Sequence, residues 1–349
     1  MLAITLRDLQ FRWRRSLVGV LVTALVFGIA LVFGGVNRVV SNEAARLVDV
    51  FDADEWVVAR GATGPFTSSA VVAADAAGDI EASPGVDAAD PIVVSRTLLR
   101  LDPDLDVNLL GVVAGGLGSP STTEGRGLEG PGEAVVGAGI DVAVGDTIEL
   151  PGGKTLEVVG KADGLRFFFA TPTVFVDVAD AQDIVFRGQP LAMAFAVRGH
   201  AESLPDGFTR RSPGEAVTDL RRPVKSGTQT IEFVSLLLWL ITTGIIGSII
   251  YLAALERARD FAVLGAIGVP TRQIVGSLVI ESLVLTVVSA TLAIPIAYLV
   301  ALGLPFPSEI TAGLMLELFL VAIVVGILAS LAGVRRAVTT DPALAFGGA

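Results

Sequence analysis

The chain has no cysteine and only one histidine, His200. Without cysteine there is no disulfide framework, no thiolate nucleophile and no thiolate metal site. A single histidine removes histidine-based triads and multi-histidine metal centres. Charge is scarce as well: 17% of the 349 residues are Asp, Glu, Lys or Arg, while 52% are hydrophobic. The scarcity is uneven, because four long stretches are almost free of charge and the stretch between the first two is rich in it.

A membrane-spanning helix needs about 20 apolar residues at 1.5 Å rise each. Runs at 16–36, 231–255, 274–303 and 312–334 meet that length and predict four transmembrane helices. Residues 37–230 then form a domain inserted between helices one and two, with 256–273 and 304–311 as loops and 1–15 and 335–349 as terminal segments. Lys and Arg near the spans favour the cytoplasmic side. Arg7, Arg12, Arg14 and Arg15 precede span one, Arg257, Arg259 and Arg272 lie between spans two and three, and Arg335 and Arg336 follow span four. The 304–311 loop has neither. Both termini and the 256–273 loop are therefore expected in the cytoplasm, and the large domain and the 304–311 loop on the other side of the membrane. Span one also has the outline of a signal peptide, but no small-x-small cleavage pattern precedes the polar start at 37–43, and it is read as a retained helix.

Between Ser41 and Gln229 there are 28 acidic and 15 basic residues, a net charge of −13 against −11 for the whole chain. An acidic exterior repels nucleic acid and anionic lipid. Val39, Val40, Ala44, Leu47, Val48 and Phe51 recur at helical spacing, so helix one is expected to continue outward as a stalk. On the return side Gly214 to Thr230 is polar and could lead into helix two, with Pro223 as a break or kink. Short β-branched runs at 56–59, 92–94, 98–101, 107–113, 146–150, 155–160 and 173–178 predict strands, making the domain α+β. The glycine-rich 117–132 segment is expected to be a mobile loop between two lobes. Gly152-Gly153-Lys154-Thr155 resembles the end of a phosphate-binding loop, but Ile148 stands where its first glycine is required, and a hairpin turn is the better reading. The Asp52/Asp54 and Asp102/Asp104 pairs lack the ligand spacing of a calcium loop and read as solvated surface.

Two carboxylates fall inside spans, Glu281 and Glu317. Charge in lipid is costly, so each is a candidate for function, with helix-to-helix bonding for Glu281 and an interfacial position for Glu317 as the structural alternatives. Small residues four apart, Ala24/Gly28, Ala30/Gly34 and Ala322/Gly326/Ser330, permit close helix approach and lend weak support to a dimer. After span two, Glu256, Arg257, Arg259 and Asp260 are followed by Phe261, Val263, Leu264 and Ile267 at helical spacing, ending at Gly268, Val269 and Pro270. That pattern predicts a helix of about three turns lying along the inner surface, either on lipid or in a protein groove.

This block, with Thr271-Arg272-Gln273-Ile274 and Glu281-Ser282-Leu283 after it, resembles the signature of ABC-transporter permeases of the FtsX, MacB and LolC/LolE type. Gly265 stands where the family often has Arg. The segment from Leu6 to Arg15, the tail from Gly333 to Leu344, and the motifs Val144-Gly145-Asp146-Thr147 and Val174-Phe175-Val176 are similar to further parts of that family, the last two to its MacB-like periplasmic core. The resemblance implies a non-catalytic permease subunit of mechanotransmission type, acting as a homo- or heterodimer on two cytoplasmic ATPase subunits that bind ATP and Mg themselves. It implies that Glu256, Arg257, Arg259, Asp260, Phe261, Leu264, Ile267, Gly268 and Arg272 dock on the ATPase, and that the outer domain meets an extracytoplasmic partner such as a lipoprotein, lipid, peptide or enzyme. Two other readings stand beside it: a conventional small-solute or amino-acid permease, for which Glu281 would be the trace, and a membrane receptor that uses no ATPase.

Overall fold

The computed structural model describes residues 13–162, 166–167, 171–256, 263, 267, 269–304 and 308–339. The chain divides into two compact units, Val40–Ser226 and the flanking Met1–Val39 with Gly227–Ala349.

Helix α1 (Trp13–Val50) has 38 residues, about 57 Å at 1.5 Å per residue and nearly twice what a bilayer core requires. Its last turns are no free-standing stalk. Ala44, Leu47, Val48 and Phe51 are all buried in the core of the inserted domain.

That domain continues with β1 (Glu55–Ala59), β2 (Val72–Ala73), α2 (Ala76–Glu81), β3 (Val86–Leu99), β4 (Leu105–Val112) and β5 (Glu124–Gly125). It goes on through β6 (Glu133–Gly137), β7 (Thr147–Leu150), β8 (Lys154–Ala162), β9 (Arg166–Phe167), β10 (Thr171–Asp177) and α3 (Val178–Phe186). It closes with β11 (Leu191–Ala192), β12 (Ala194–Gly199), β13 (Phe208–Arg211) and α4 (Pro213–Arg221). Eleven strands make one sheet in the order β13-β1-β12-β3-β4-β10-β6-β8-β5, with β7 on β8 and β9 on β10, while β2 and β11 pair separately.

Strand β3 joins two halves of this sheet. From Val86 to Ile92 it pairs with β12, and from Val93 to Leu99 with β4. The run 92–94 and the start of the run 98–101 thus belong to one strand, which ends at Leu99, and Arg100 adds an isolated bridge to Glu149. The expected joint at 117–132 is corrected too: Leu117 and Leu128 are buried, the Leu117 amide donates to Asp90 at 2.7 Å, and β5 pairs with β8. Side chains on the central strands alternate between two cores, as the two-residue period requires. Leu109, Val136, Val174 and Val176 pack with Ala181 of α3, whereas Leu110, Val135 and Phe175 pack with the end of α1 and Leu220 of α4.

Local sequence sets the short helices. Asp177 caps α3 by accepting from the Ala179 amide at 2.9 Å. At α4, Ser212 and Glu215 accept from each other's amides and Pro213 occupies the first turn, a capping box that fixes where the helix begins. Gly152 and Gly153, at φ of 86° and 77°, turn β7 into β8 as the hairpin reading required.

The second unit adds α5 (Lys225–Glu256), α6 (Thr271–Ala301) and α7 (Ala312–Thr339). With α1 they make four helices, among the described residues, long and apolar enough to cross a membrane. Glycines set how closely they approach. A Cβ on Gly19 would stand 2.2 Å from Ile249 on α5, one on Gly28 3.2 Å from the Ala293 carbonyl on α6, and one on Gly326 2.7 Å from Thr286 Oγ1. Ala24, Ala30, Ala322 and Ser330 are buried. The small-residue spacings read in the sequence as support for a dimer are therefore used for packing within the chain.

Candidate functional site

Helix α5 (Lys225–Glu256) and α6 (Thr271–Ala301) flank in sequence the segment expected to dock on an ATPase. Within it Val263 is helical, and the Ile267 amide donates to the Val263 carbonyl at 3.1 Å, which is one α-helical turn. The two side chains are i and i+4 neighbours and share a face. They are 45% and 72% exposed, a large apolar surface for a turn that follows a charged cluster in sequence. Pro270 then takes the cap position of α6 in an extended conformation, and Arg272 is exposed in its first turn. Arg257, Arg259, Asp260, Phe261, Leu264 and Gly268 lie outside the described residues.

Glu281 is buried on α6, 7% exposed. Next to it a row of polar positions begins, Ser282, Thr286 and Ser289, all buried and spaced four and three apart on one helical face, of which the sequence motif contains only Ser282. Ser282 donates to the Gly326 carbonyl of α7 at 2.6 Å, and Ser289 to the Val20 carbonyl of α1 at 3.3 Å. Thr286 donates back to Ser282 and Leu283 carbonyls in its own helix. Ser282 and Ser289 thereby tie α6 to α7 and α1. Ser282 is part of the Glu281-Ser282-Leu283 motif, whereas Thr286 and Ser289 stand in an apolar run with no charge to mark them. Glu317 differs, standing exposed in the second turn of α7. On the same unit, an open groove of about 510 Å³ is lined by Gly244, Gly247, Ser248 and Tyr251 of α5 with Leu328 and Ala329 of α7.

In the inserted domain several charged groups join one element to another. Lys154 lies 2.8 Å from both Asp180 and Asp183. Asp180, then Asp183, holds its ammonium above the ordinary lysine range, and the buried Asp180 carboxylate also accepts from the Gly132 amide at 2.6 Å. This lysine fastens the β7–β8 turn to α3. Arg126 forks onto Glu133, which pushes that carboxyl down to about 2. His200 is an exposed side chain 3.7 Å from Glu55. Among the described residues no group of three or more His, Asp or Glu is placed to hold a metal ion.

Residues 232–342 match the family model described as FtsX-like permease C-terminal. Two proteins of Mycobacterium tuberculosis (strain ATCC 25618 / H37Rv), the uncharacterized ABC transporter permeases Rv2563 and Rv0072, are 36% and 37% identical to this chain over 349 residues, covering 100% of it and of themselves. Among solved structures, the extracellular domain of the noncanonic ABC-type transporter YknZ from Gram-positive bacteria is 14% identical, with a TM-score of 0.33 over 45% of this chain and 98% of that one. The periplasmic region of MacB from Actinobacillus actinomycetemcomitans is 10% identical, with a TM-score of 0.35 over 53% of this chain and 95% of that one. At those scores the domain's fold rests on its own strand pairing.

Proposed function

The chain belongs to the FtsX-like ABC transporter permeases, and from that premise we propose that it is the non-catalytic membrane subunit that carries ATP-driven motion of a cytoplasmic ATPase pair to an extracytoplasmic domain. An ABC permease works with an ATPase. The observation that carries the finer reading is the exposed apolar turn at Val263 and Ile267, which follows α5 in sequence and lies within the matched segment. An exposed apolar pair one helical turn apart fits the groove of a protein partner. The distribution of arginine supports a cytoplasmic position for this element and an outer position for the inserted domain. Two permease chains, alike or different, complete the assembly. The stroke serves export of a lipoprotein, lipid or peptide, or control of a cell-envelope partner. Ser282 and Ser289, used to bond helix to helix, favour this reading over a small-solute pathway through the spans.

The test is co-expression with an ABC ATPase and purification in detergent. The native chain is expected to retain the ATPase, and Ile267→Asp with Phe261→Asp to lose it while inserting normally. Equal retention by both would contradict the docking role of this turn.

A further inference from the structure

The inserted domain is connected to membrane helices at its two ends, through α1 and through the link from α4 to α5, and the two connections are built differently. Helix α1 runs unbroken to Val50, and Phe51 after it is fully buried against Trp56 and Phe66, with ring centroids 4.7 and 5.8 Å away. On the return side the helix is interrupted. Helix α4 stops at Arg221, and α5 starts at Lys225 after Arg222-Pro223-Val224. Pro223 has no amide hydrogen and its ring crowds the carbonyl four residues back, so the α-helical ladder is broken there.

Helix α4 itself is held firmly by Asp219, whose side chain is fully buried. Its carboxylate accepts from the Phe66 amide at 2.9 Å, from the Thr67 amide at 3.0 Å and from the Thr67 hydroxyl, with Arg222 at 3.8 Å. Gly64 leaves the room this needs, since a Cβ there would stand 2.2 Å from the carboxylate carbon. Arg221 adds a bond to the Ser41 carbonyl on α1, 2.6 Å long. A buried carboxylate that accepts several hydrogen bonds is costly to disconnect, because the charge would be left unpaired.

We propose that Asp219 is the centre of a clasp that locks α4 to the outer end of α1, so that the two connections are fixed to each other and bending of the second falls at Arg222-Pro223-Val224. Helix α1 then acts as a rod seated in the domain core, and α5 as a rod on a hinge. The clasp stands independently of the proposed function; only its use in passing a stroke rests on that reading.

The absence of cysteine allows clean paired spin labels on the full chain. One pair, Asn42→Cys with Thr218→Cys, spans the clasp, and another, Thr218→Cys with Glu232→Cys, spans the hinge. In the chain alone, the clasp pair is expected to give a narrow distance distribution and the hinge pair a broader one. Asp219→Asn and, independently, Gly64→Ala are expected to lose the narrow clasp distribution, and Pro223→Ala to narrow the hinge pair. A clasp pair as broad as the hinge pair, or one unchanged by both clasp variants, would overturn the proposal, and either result is read without any ATPase. With the ATPase bound, trapping ATP is expected to shift the hinge pair and leave the clasp pair in place. A moving clasp with a fixed hinge would overturn it equally, whereas failure to bind an ATPase would count only against the function proposed above.

Discussion

The two units of this chain cohere by different means. In the membrane unit close approach rests on missing side chains, at Gly19, Gly28 and Gly326, with a few hydroxyls bonding helix to helix. The inserted domain instead packs large residues such as Phe51, Trp56 and Phe175 into a core and fastens its turns with buried carboxylates. In lipid there is no hydrophobic gain from bringing two apolar helices together, so contact area and hydrogen bonds must serve. In water the apolar core supplies most of the drive, and polar groups set the register.

The comparison breaks most sharply at Trp56. Its replacement by Ala is expected to cost the domain about 3–5 kcal/mol, as for other buried aromatic deletions. Hydrogen exchange on the intact chain should show lost protection in β1 and β12, with α6 and α7 unchanged. Gly28→Leu is the mirror experiment. The new side chain meets the Ala293 carbonyl and Ile296, with an expected cost of about 1–3 kcal/mol confined to the membrane helices. If either change weakens both units alike, their cohesion is shared and the distinction fails.

Two smaller effects sharpen the electrostatic side. Lys154→Met leaves the buried Asp180 with the Gly132 amide as its remaining described partner, and a cost of about 1–3 kcal/mol in domain stability is expected. Glu133→Gln should matter least and only in one pH range. The folded carboxyl lies near 2 against an ordinary 4.5, so its ionised form contributes stability above 4.5 that is lost as pH falls toward 2. Native and variant chains are therefore expected to differ in unfolding at neutral pH and to converge as pH approaches 2. A difference that persisted there would assign the effect to packing.

The four spans and the inserted domain were legible because hydropathy is a local property of a long window. The family was legible from the block after Glu256, and the comparisons bear it out. Strand β3 was read as two pieces because its edge residues Ser95, Arg96 and Thr97 interrupt the apolar pattern, although they are paired throughout with β4. Helices α3 and α4 carried their start signals openly, Asp177 before one and Ser212-x-x-Glu215 before the other, but short amphipathic helices leave little periodicity to find. Glu281 could be singled out by its charge in an apolar run. Asp219 could not, since the loop that gives it meaning lies 153 residues earlier in sequence and only the fold brings them together.

The central claim is that the turn at Val263 and Ile267 couples nucleotide state to the inserted domain. The direct measurement is the hinge-pair distance in membranes that hold both the permease and the ATPase, with and without trapped ATP, in the native chain and in Ile267→Asp. A nucleotide-dependent shift that is present in the native chain and absent in the variant is the expected result. A shift of equal size in both, or no shift in a complex that hydrolyses ATP, would contradict the account.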